Sequence, residues 1–320
     1  MKYRFFAFIL FLLSLSICMS CKDGTINWDR IVVDTQNLLK ELEEGIENDF
    51  SKPSKDPLHS GNSISKFKNY TLVSWNIQHM GRSKTEEDIQ NMAQILKDFD
   101  IVAIQEVVAK DPAGAQAVAR LADALNRTGA AWDYQVSNST ISPSVYISER
   151  YAFLWKTSKV DIQHRAFLDK EREDLFYREP FIARFREKKT KKLFYIANYH
   201  SRKHSDRPQE EIIHLIDYSE RWGSPYVLIA GDFNVTENDK VWIPFYNKGF
   251  QSALKNTKTT LKQKCNDAIY LNHSIDNIFY TPRVKRHQAQ AIDFVETCEN
   301  LQAARSISDH LPIFIEFSLE

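Results

Sequence analysis

From Asn69 onward the chain is written as short apolar runs, several of which end in a cluster of carboxylate, amide or imidazole side chains. The runs Leu72–Trp75, Ile101–Ile104, Ala152–Trp155, Phe181–Phe185, Leu193–Ala197, Tyr226–Ala230, Ile275–Tyr280 and Leu311–Phe317 read as buried strands. Helical spacing separates some of them, at about 85–98, 112–126 and 207–222. Elsewhere one run follows the next directly, as across 181–197, where Lys188 to Lys192 would form the hairpin turn. Helical crossovers permit parallel neighbours, whereas hairpins impose antiparallel ones. Both occur here, which points to an α/β protein whose sheet is partly antiparallel.

The polar clusters carry the functional signal. The first strand runs into Ser74-Trp75-Asn76-Ile77-Gln78, and the next ends in Gln105-Glu106-Val107. Later come Asn198-Tyr199-His200, Gly231-Asp232-Phe233-Asn234, Ser274-Ile275-Asp276-Asn277 and Ser308-Asp309-His310-Leu311-Pro312. In sheets with crossover helices, ligand sites form where several strands end on one side, so these clusters predict one shared polar site. Glu106 and Asp309 with amide oxygens make a hard donor set suited to Mg²⁺ or Ca²⁺. Two histidines with carboxylates available could serve as general base and general acid. There is no Cys/His zinc spacing, no nucleophile elbow and no Gly-rich phosphate loop. Metal-assisted hydrolysis of a phosphoester fits these residues best. The 42 basic residues balance 42 acidic ones, which excludes a protein held to DNA by bulk charge.

The start of the chain reads differently. Lys2 and Arg4 precede an apolar stretch from Phe5 to Ile17, too short for a spanning helix and suited to a cleaved export signal. Cys18-Met19-Ser20-Cys21 resembles a bacterial lipobox, although Leu usually stands where Cys18 is. Residues 1–21 are therefore expected to be a lipoprotein signal peptide. Its Cys21 would carry the membrane anchor and place the protein in the bacterial envelope, periplasmic or at the cell surface. Helical spacing from Trp28 to Ile46, then a polar stretch with Pro53, Pro57 and Gly61, predicts a tether helix and linker over 22–68. The domain would occupy 69–320. Cys265 and Cys298 remain in it, as one disulfide or as two buried thiols.

The ordered set Trp75-Asn76-Ile77, Gln105-Glu106, Gly231-Asp232-Phe233-Asn234 and Ser308-Asp309-His310-Leu311-Pro312 resembles the endonuclease/exonuclease/phosphatase superfamily over about residues 70–318. Ser148-Glu149-Arg150-Tyr151 and Tyr177-Arg178-Glu179-Pro180 are similar to segments of its deoxyribonuclease I branch. The resemblance implies a four-layer α/β/β/α sandwich of two mixed, mainly antiparallel sheets, with a divalent-metal site at one edge. It implies that Glu106, helped by Asn76 and Asp309, holds Mg²⁺, or alternatively Mn²⁺ or Ca²⁺. His310 with Asp276 would activate water, and His200 oriented by Glu149 would protonate the departing oxygen. Asp232 and Asn234 would position water and brace the phosphoryl group, and Arg178 would contact a substrate phosphate. The expected substrate is DNA, acted on by a monomer with no protein partner. The alternatives are a same-fold phosphodiesterase or phosphatase for sphingomyelin, phosphoinositide or a small phosphoester, and a binding module without turnover.

Two departures bear on the substrate. The branch carries an Arg shortly after Gln-Glu-Val, where this chain offers only Lys110. Its groove-contacting Tyr stands two residues before the Glu, whereas Tyr146 lies three before Glu149. Arg202, Lys203 and Arg207, which follow His200, are further candidates for phosphate contact. The basic run from Arg184 to Lys192 reads as a solvated hairpin, and Trp242 to Tyr246 as core.

Overall fold

The computed structural model describes residues 21–22, 25–26, 67–144 and 147–320. The chain divides into two compact units, Met1–Pro57 and Leu58–Glu320. In the first, Cys21–Lys22 pairs antiparallel with Thr25–Ile26. The expected signal peptide, the rest of the tether and Tyr146 lie outside the described residues. Among the described residues no helix is long and apolar enough to cross a membrane.

In the second unit the strands are, in chain order, β1 Tyr70–Met80, β2 Ile101–Val108, β3 Trp132–Val136, β4 Glu149–Lys156, β5 Val160–Ile162, β6 Phe167–Leu168, β7 Phe181–Glu187 and β8 Leu193–His200. They continue as β9 Val227–Asp232, β10 Gln251–Ser252, β11 Leu261–Asn266, β12 Ile269–Leu271, β13 Asp276–Tyr280, β14 Val284–Ala291 and β15 Ile313–Leu319. The α-helices are α1 Glu86–Leu96, α2 Ala113–Asn126, α3 Gln209–Ile212, α4 Tyr218–Arg221, α5 Ile243–Asn247 and α6 Leu301–Ile307. One sheet has the order β14-β15-β1-β2-β4-β3, and the other β10-β13-β9-β8-β7-β5 with β6 on β7. Strands β11 and β12 form a separate hairpin.

Each of the two large sheets contains a single parallel pair. β1 and β2 run together because α1 crosses between them, and β8 and β9 because the helical segment containing α3 and α4 does. All other pairings within these sheets are antiparallel. The helix expected over 207–222 is broken: α3 and α4 flank a tighter 3-10 turn at Ile213–Asp217.

Strand alternation sorts the apolar side chains into three layers of core. Val73, Trp75, Val102 and Ile104 face α1, α2 and α6 in one cluster. Leu72, Ile101, Ala103 and Phe153 meet Phe181, Ile196, Leu228 and Ala230 between the sheets. Ala197, Tyr199, Val227 and Ile229 face α3, α4 and α5 in a third. Three apolar interfaces separate four layers, α/β/β/α, as expected. The basic hairpin is also as expected: Arg186 and Lys188 both pair with Asp161. Trp242 and Phe245 are buried in the third cluster, while Ile243 is exposed.

Candidate active site

The period of two that builds the inter-sheet core also builds the site. Along β1 the inward positions read Leu72, Ser74, Asn76, and along β2 Ile101, Ala103, Gln105. On β8 they read Ile196, Asn198, His200, and on β9 Leu228, Ala230, Asp232. On β13 and β4, which run the other way, the polar residue comes first: Asp276 before Ile278, and Glu149 before Tyr151. Each inward face thus changes from apolar to polar at the same end of the sandwich.

A polar tier closes the core there. Gln105 Nε2 donates to Asn198 Oδ1 at 2.6 Å and Ser74 Oγ at 3.1 Å. Asn198 Nδ2 in turn donates to the main-chain carbonyls of Ile104 and Ala152 across the sheets, at 3.0 and 3.1 Å. The β2–β4 register slips between Ile104 and Val107.

That slip decides where Glu106 points. Strict alternation would place it on the helix-facing side with Ile104. Instead Glu106 adopts a left-handed backbone, φ 61°, and Val107 returns to the helix-facing core. A non-glycine residue held in that region at a site is a strained, over-determined position. The Glu106 carboxylate accepts from Asn76 Nδ2 at 3.1 Å and from the His79 main-chain N–H at 3.3 Å.

Above this tier stand two histidine–carboxylate pairs. His200 Nδ1 lies 3.0 Å from both Glu149 oxygens, and its main-chain N–H donates to the Tyr151 hydroxyl at 3.2 Å. His310 Nδ1 lies 2.9 Å from Asp276 Oδ2, which also accepts the Thr259 hydroxyl at 2.6 Å. The two free imidazole nitrogens converge on one atom: Asp232 Oδ2 is 3.5 Å from His200 Nε2 and 3.8 Å from His310 Nε2. Asn76 Nδ2 donates to that same oxygen at 3.1 Å. The other Asp232 oxygen accepts the Asn234 main-chain N–H at 2.9 Å.

Charge follows from these contacts. Burial works against an imidazolium at 310, but Asp276, Asp232 and Asp309 outweigh it and push His310 up to about 10. Burial and Arg178 oppose the charge on His200, while Glu149 and Asp232 raise its pKa on balance. Burial would raise Glu149, yet His200 and Arg178 hold it below its ordinary value. Burial and the Asp276 charge raise Asp232.

The turn that carries Asp309 and His310 is tied to β1. Ser308 Oγ donates to the Asn76 carbonyl at 2.7 Å, the Trp75 indole N–H donates to the His310 carbonyl at 2.9 Å, and Gln78 Nε2 reaches Asp309 Oδ2 at 3.0 Å. Lys84, buried, donates to the carbonyls of Ser306 and Ile307 at 3.0 and 2.8 Å, capping the C-terminus of α6 directly before this turn. Thr259 and Lys84 act from loops by one hydroxyl and one ammonium. Neither lies in a motif, so the sequence carried no signal for them.

The expected metal set fits a hard cation on one observation. Asn76 Oδ1 is buried and accepts no hydrogen bond, while Nδ2 of the same amide is 3.1 Å from the Glu106 carboxylate. An orphaned carbonyl oxygen on a residue that touches a carboxylate is a donor suited to an oxygen-seeking ion. Asp232, Asp276 and His310 also bring one ligand atom each within 4.8 Å of one another. There, however, Asp276 is already spent on His310 and Thr259.

Arg178, expected to contact a substrate phosphate, is turned towards protein groups. It is buried, its guanidinium donates to the carbonyls of His200 and Ser201, and its Nε lies 3.7 Å from Glu149. It supports the His200 strand end from behind. Arg202 stacks on Tyr177 and pairs with the fully buried Glu211, and Arg207 pairs with Glu210 at 2.8 Å. Of the expected phosphate contacts, the three arginines are taken up by carboxylates. Cys265 and Cys298 form a disulfide.

Known proteins are similar to this chain. A deoxyribonuclease of Thioalkalivibrio sp. is 34% identical over 181 residues, covering 53% of this chain and 48% of the relative. The Chlorocebus aethiops protein deoxyribonuclease-1-like 1 is 26% identical over 267 residues, covering 78% and 85%. The chain thus spans about half the length of several curated relatives it matches and most of others. An endonuclease/exonuclease/phosphatase structure from Bacteroides vulgatus superposes with a TM-score of 0.58 at 19% identity, covering 79% of this chain and 99% of that one, which shows a shared fold. The profile of the Endonuclease/Exonuclease/phosphatase family matches residues 73–310, from the first site strand through His310, and the chain belongs to that family.

Proposed function

We propose that this protein is a divalent-metal-dependent phosphodiesterase that cuts DNA endonucleolytically. The observation that carries the reading is the convergence of two carboxylate-backed imidazoles and the Asn76 amide on one oxygen, Asp232 Oδ2. A phosphoryl oxygen placed beside Asp232 would find the same donors, aimed where negative charge develops. His310 Nε2 takes a proton from water, whose oxygen attacks phosphorus. The bond to the departing oxygen breaks, and His200 Nε2 returns a proton to it. Glu106, Asn76 Oδ1 and Asp309 would hold Mg²⁺, which supplies charge neutralisation at the phosphoryl group. Bound there, the cation would offset the negative charge of Asp232 and Asp309, which adds to the larger effect of Asp276 in favouring an imidazolium at 310.

The similarity to deoxyribonucleases supports DNA over a lipid or a small phosphoester. Export with a lipid anchor at Cys21 is part of the proposal; the lipobox-like run and the Cys265–Cys298 disulfide support it. The purified protein, given supercoiled plasmid and Mg²⁺, is expected to yield nicked circles, and E106Q and H310N to lose this activity. Turnover of a phosphomonoester or sphingomyelin with intact plasmid would overturn the reading.

A further inference from the structure

A cleft of about 500 Å³ opens beside the catalytic residues on the side of β9 and β13. Its lining includes His204, Asn234, Val235, His273, Ser274 and Ile275. Asn234 belongs to both places, since its main-chain N–H donates to Asp232 and its side of the loop forms the cleft wall. The volume lies within the ordinary range for small-molecule sites, about 300–1,000 Å³. Val235 and Ile275 make its lining partly apolar, and the two exposed imidazoles give it aromatic faces.

Neither histidine is used by the reaction, yet both are fastened to residues that are. His204 Nδ1 is 3.1 Å from the Asn234 carbonyl, which can only accept; Nδ1 therefore carries the hydrogen and Nε2 is the other free nitrogen. The His273 main chain is gripped by Thr260 Oγ1 at 2.8 Å and by the Thr259 N–H at 2.7 Å. Thr259 is also the residue whose hydroxyl holds Asp276. Asp239, the acid of the cleft, is occupied by Gln209 at 2.9 Å and by the Val241 N–H at 2.9 Å.

We propose that this cleft is the subsite for an unstacked nucleoside next to the scissile phosphate, with its base against the His273 and His204 rings. The substrate class that follows is single-stranded DNA, ahead of duplex. In a duplex the base stays in the stack, and extruding it costs a few kcal/mol. On a single strand it is free to stack on an aromatic face, a contact that tolerates any base. Of the arginines expected to grip a backbone, Arg178 and Arg202 are paired with the buried Glu149 and Glu211, in keeping with this preference.

This inference rests on the nuclease reading, and one experiment separates the two. kcat and KM of the full chain in Mg²⁺ are measured on a single-stranded 12-mer and on a hairpin duplex of the same sequence. The wild type is expected to favour the single strand by about tenfold or more in kcat/KM. H273A should raise KM on the single strand about tenfold, the equivalent of losing one stacked base at the low end of its range. H273F, which keeps an aromatic face, should restore it. Equal or faster cleavage of the duplex, or an H273A loss carried by kcat and not rescued by H273F, overturns the subsite. No cleavage of either DNA overturns the nuclease reading itself.

Discussion

The two histidine–carboxylate pairs look alike in distance and differ in how they are held. His200 ends the regular strand β8 and Glu149 begins β4, so the pair bridges the two sheets, with Arg178 packed behind it. His310 sits in a turn between α6 and β15, and its partner Asp276 begins β13. The second pair depends on single side chains, mostly from loops: Thr259 on the carboxylate, and Ser308, Lys84 and the β1 residue Trp75 on the turn. Sheet geometry therefore fixes one pair, and a set of individual hydrogen bonds fixes the other. Replacement of a supporting residue should be felt much more on the His310 side.

The largest effect tests whether the pairs are equivalent in the reaction. D276N leaves His310 without its anion and in the wrong tautomer, and kcat on DNA should fall about a thousandfold. E149Q should cost about a hundredfold, because Arg178 and the strand still position His200. Equal losses would remove the proposed asymmetry. The next effect is on stability. The Cys265–Cys298 bridge spans a separation of 33 residues that includes Asp276 and closes just before α6. Its removal in C265S/C298S should cost about 2–4 kcal/mol and lower Tm in calorimetry by about 4–16 °C. An unchanged Tm would show that the His310 side holds without it.

How much of this was readable beforehand follows the same division. The apolar runs and the polar residues at their ends placed Asn76, His200, Asp232 and Asp276 in one cluster, whereas Glu149 was legible only through the family resemblance. Glu106 was legible from its Gln-Glu context, but alternation alone points it to the helices; only the left-handed turn at the β2 bulge brings it inward. Strand β14 was missed because Val284-Lys-Arg-His-Gln-Ala-Gln-Ala is a polar edge strand with no apolar run to announce it. For Arg178 the sequence shows that a guanidinium is near the site but not which way it faces. Buried carbonyls at His200 and Ser201 claim it.

A smaller effect isolates one supporting bond. T259V removes the hydroxyl that donates to Asp276 while keeping the shape of the side chain, and should lower kcat about tenfold with KM little changed, in line with about 1.4 kcal/mol for one hydrogen bond to a charged group. T259S should restore the rate. Recovery by Ser is what distinguishes a bond to Asp276 from a packing role, since Ser lacks the methyl group.

The smallest effect contrasts the pairs through pH, measured by thermal melts with a chelator present. Glu149 has its folded pKa held below its ordinary value, so its contribution is fully present above the unfolded pKa of about 4.3 and is lost as pH falls through the lower folded value. The stability gap between wild type and E149Q should therefore be widest near neutrality and close on the acid side. His310 is shifted the other way, up to about 10. Its contribution is fully present below the unfolded pKa of about 6.5 and is lost as pH rises towards 10. The gap between wild type and H310Q should then be widest near pH 6 and close on the alkaline side. If both gaps closed in the same direction, the two pairs would share one electrostatic environment, and their difference would reduce to the loops that carry His310.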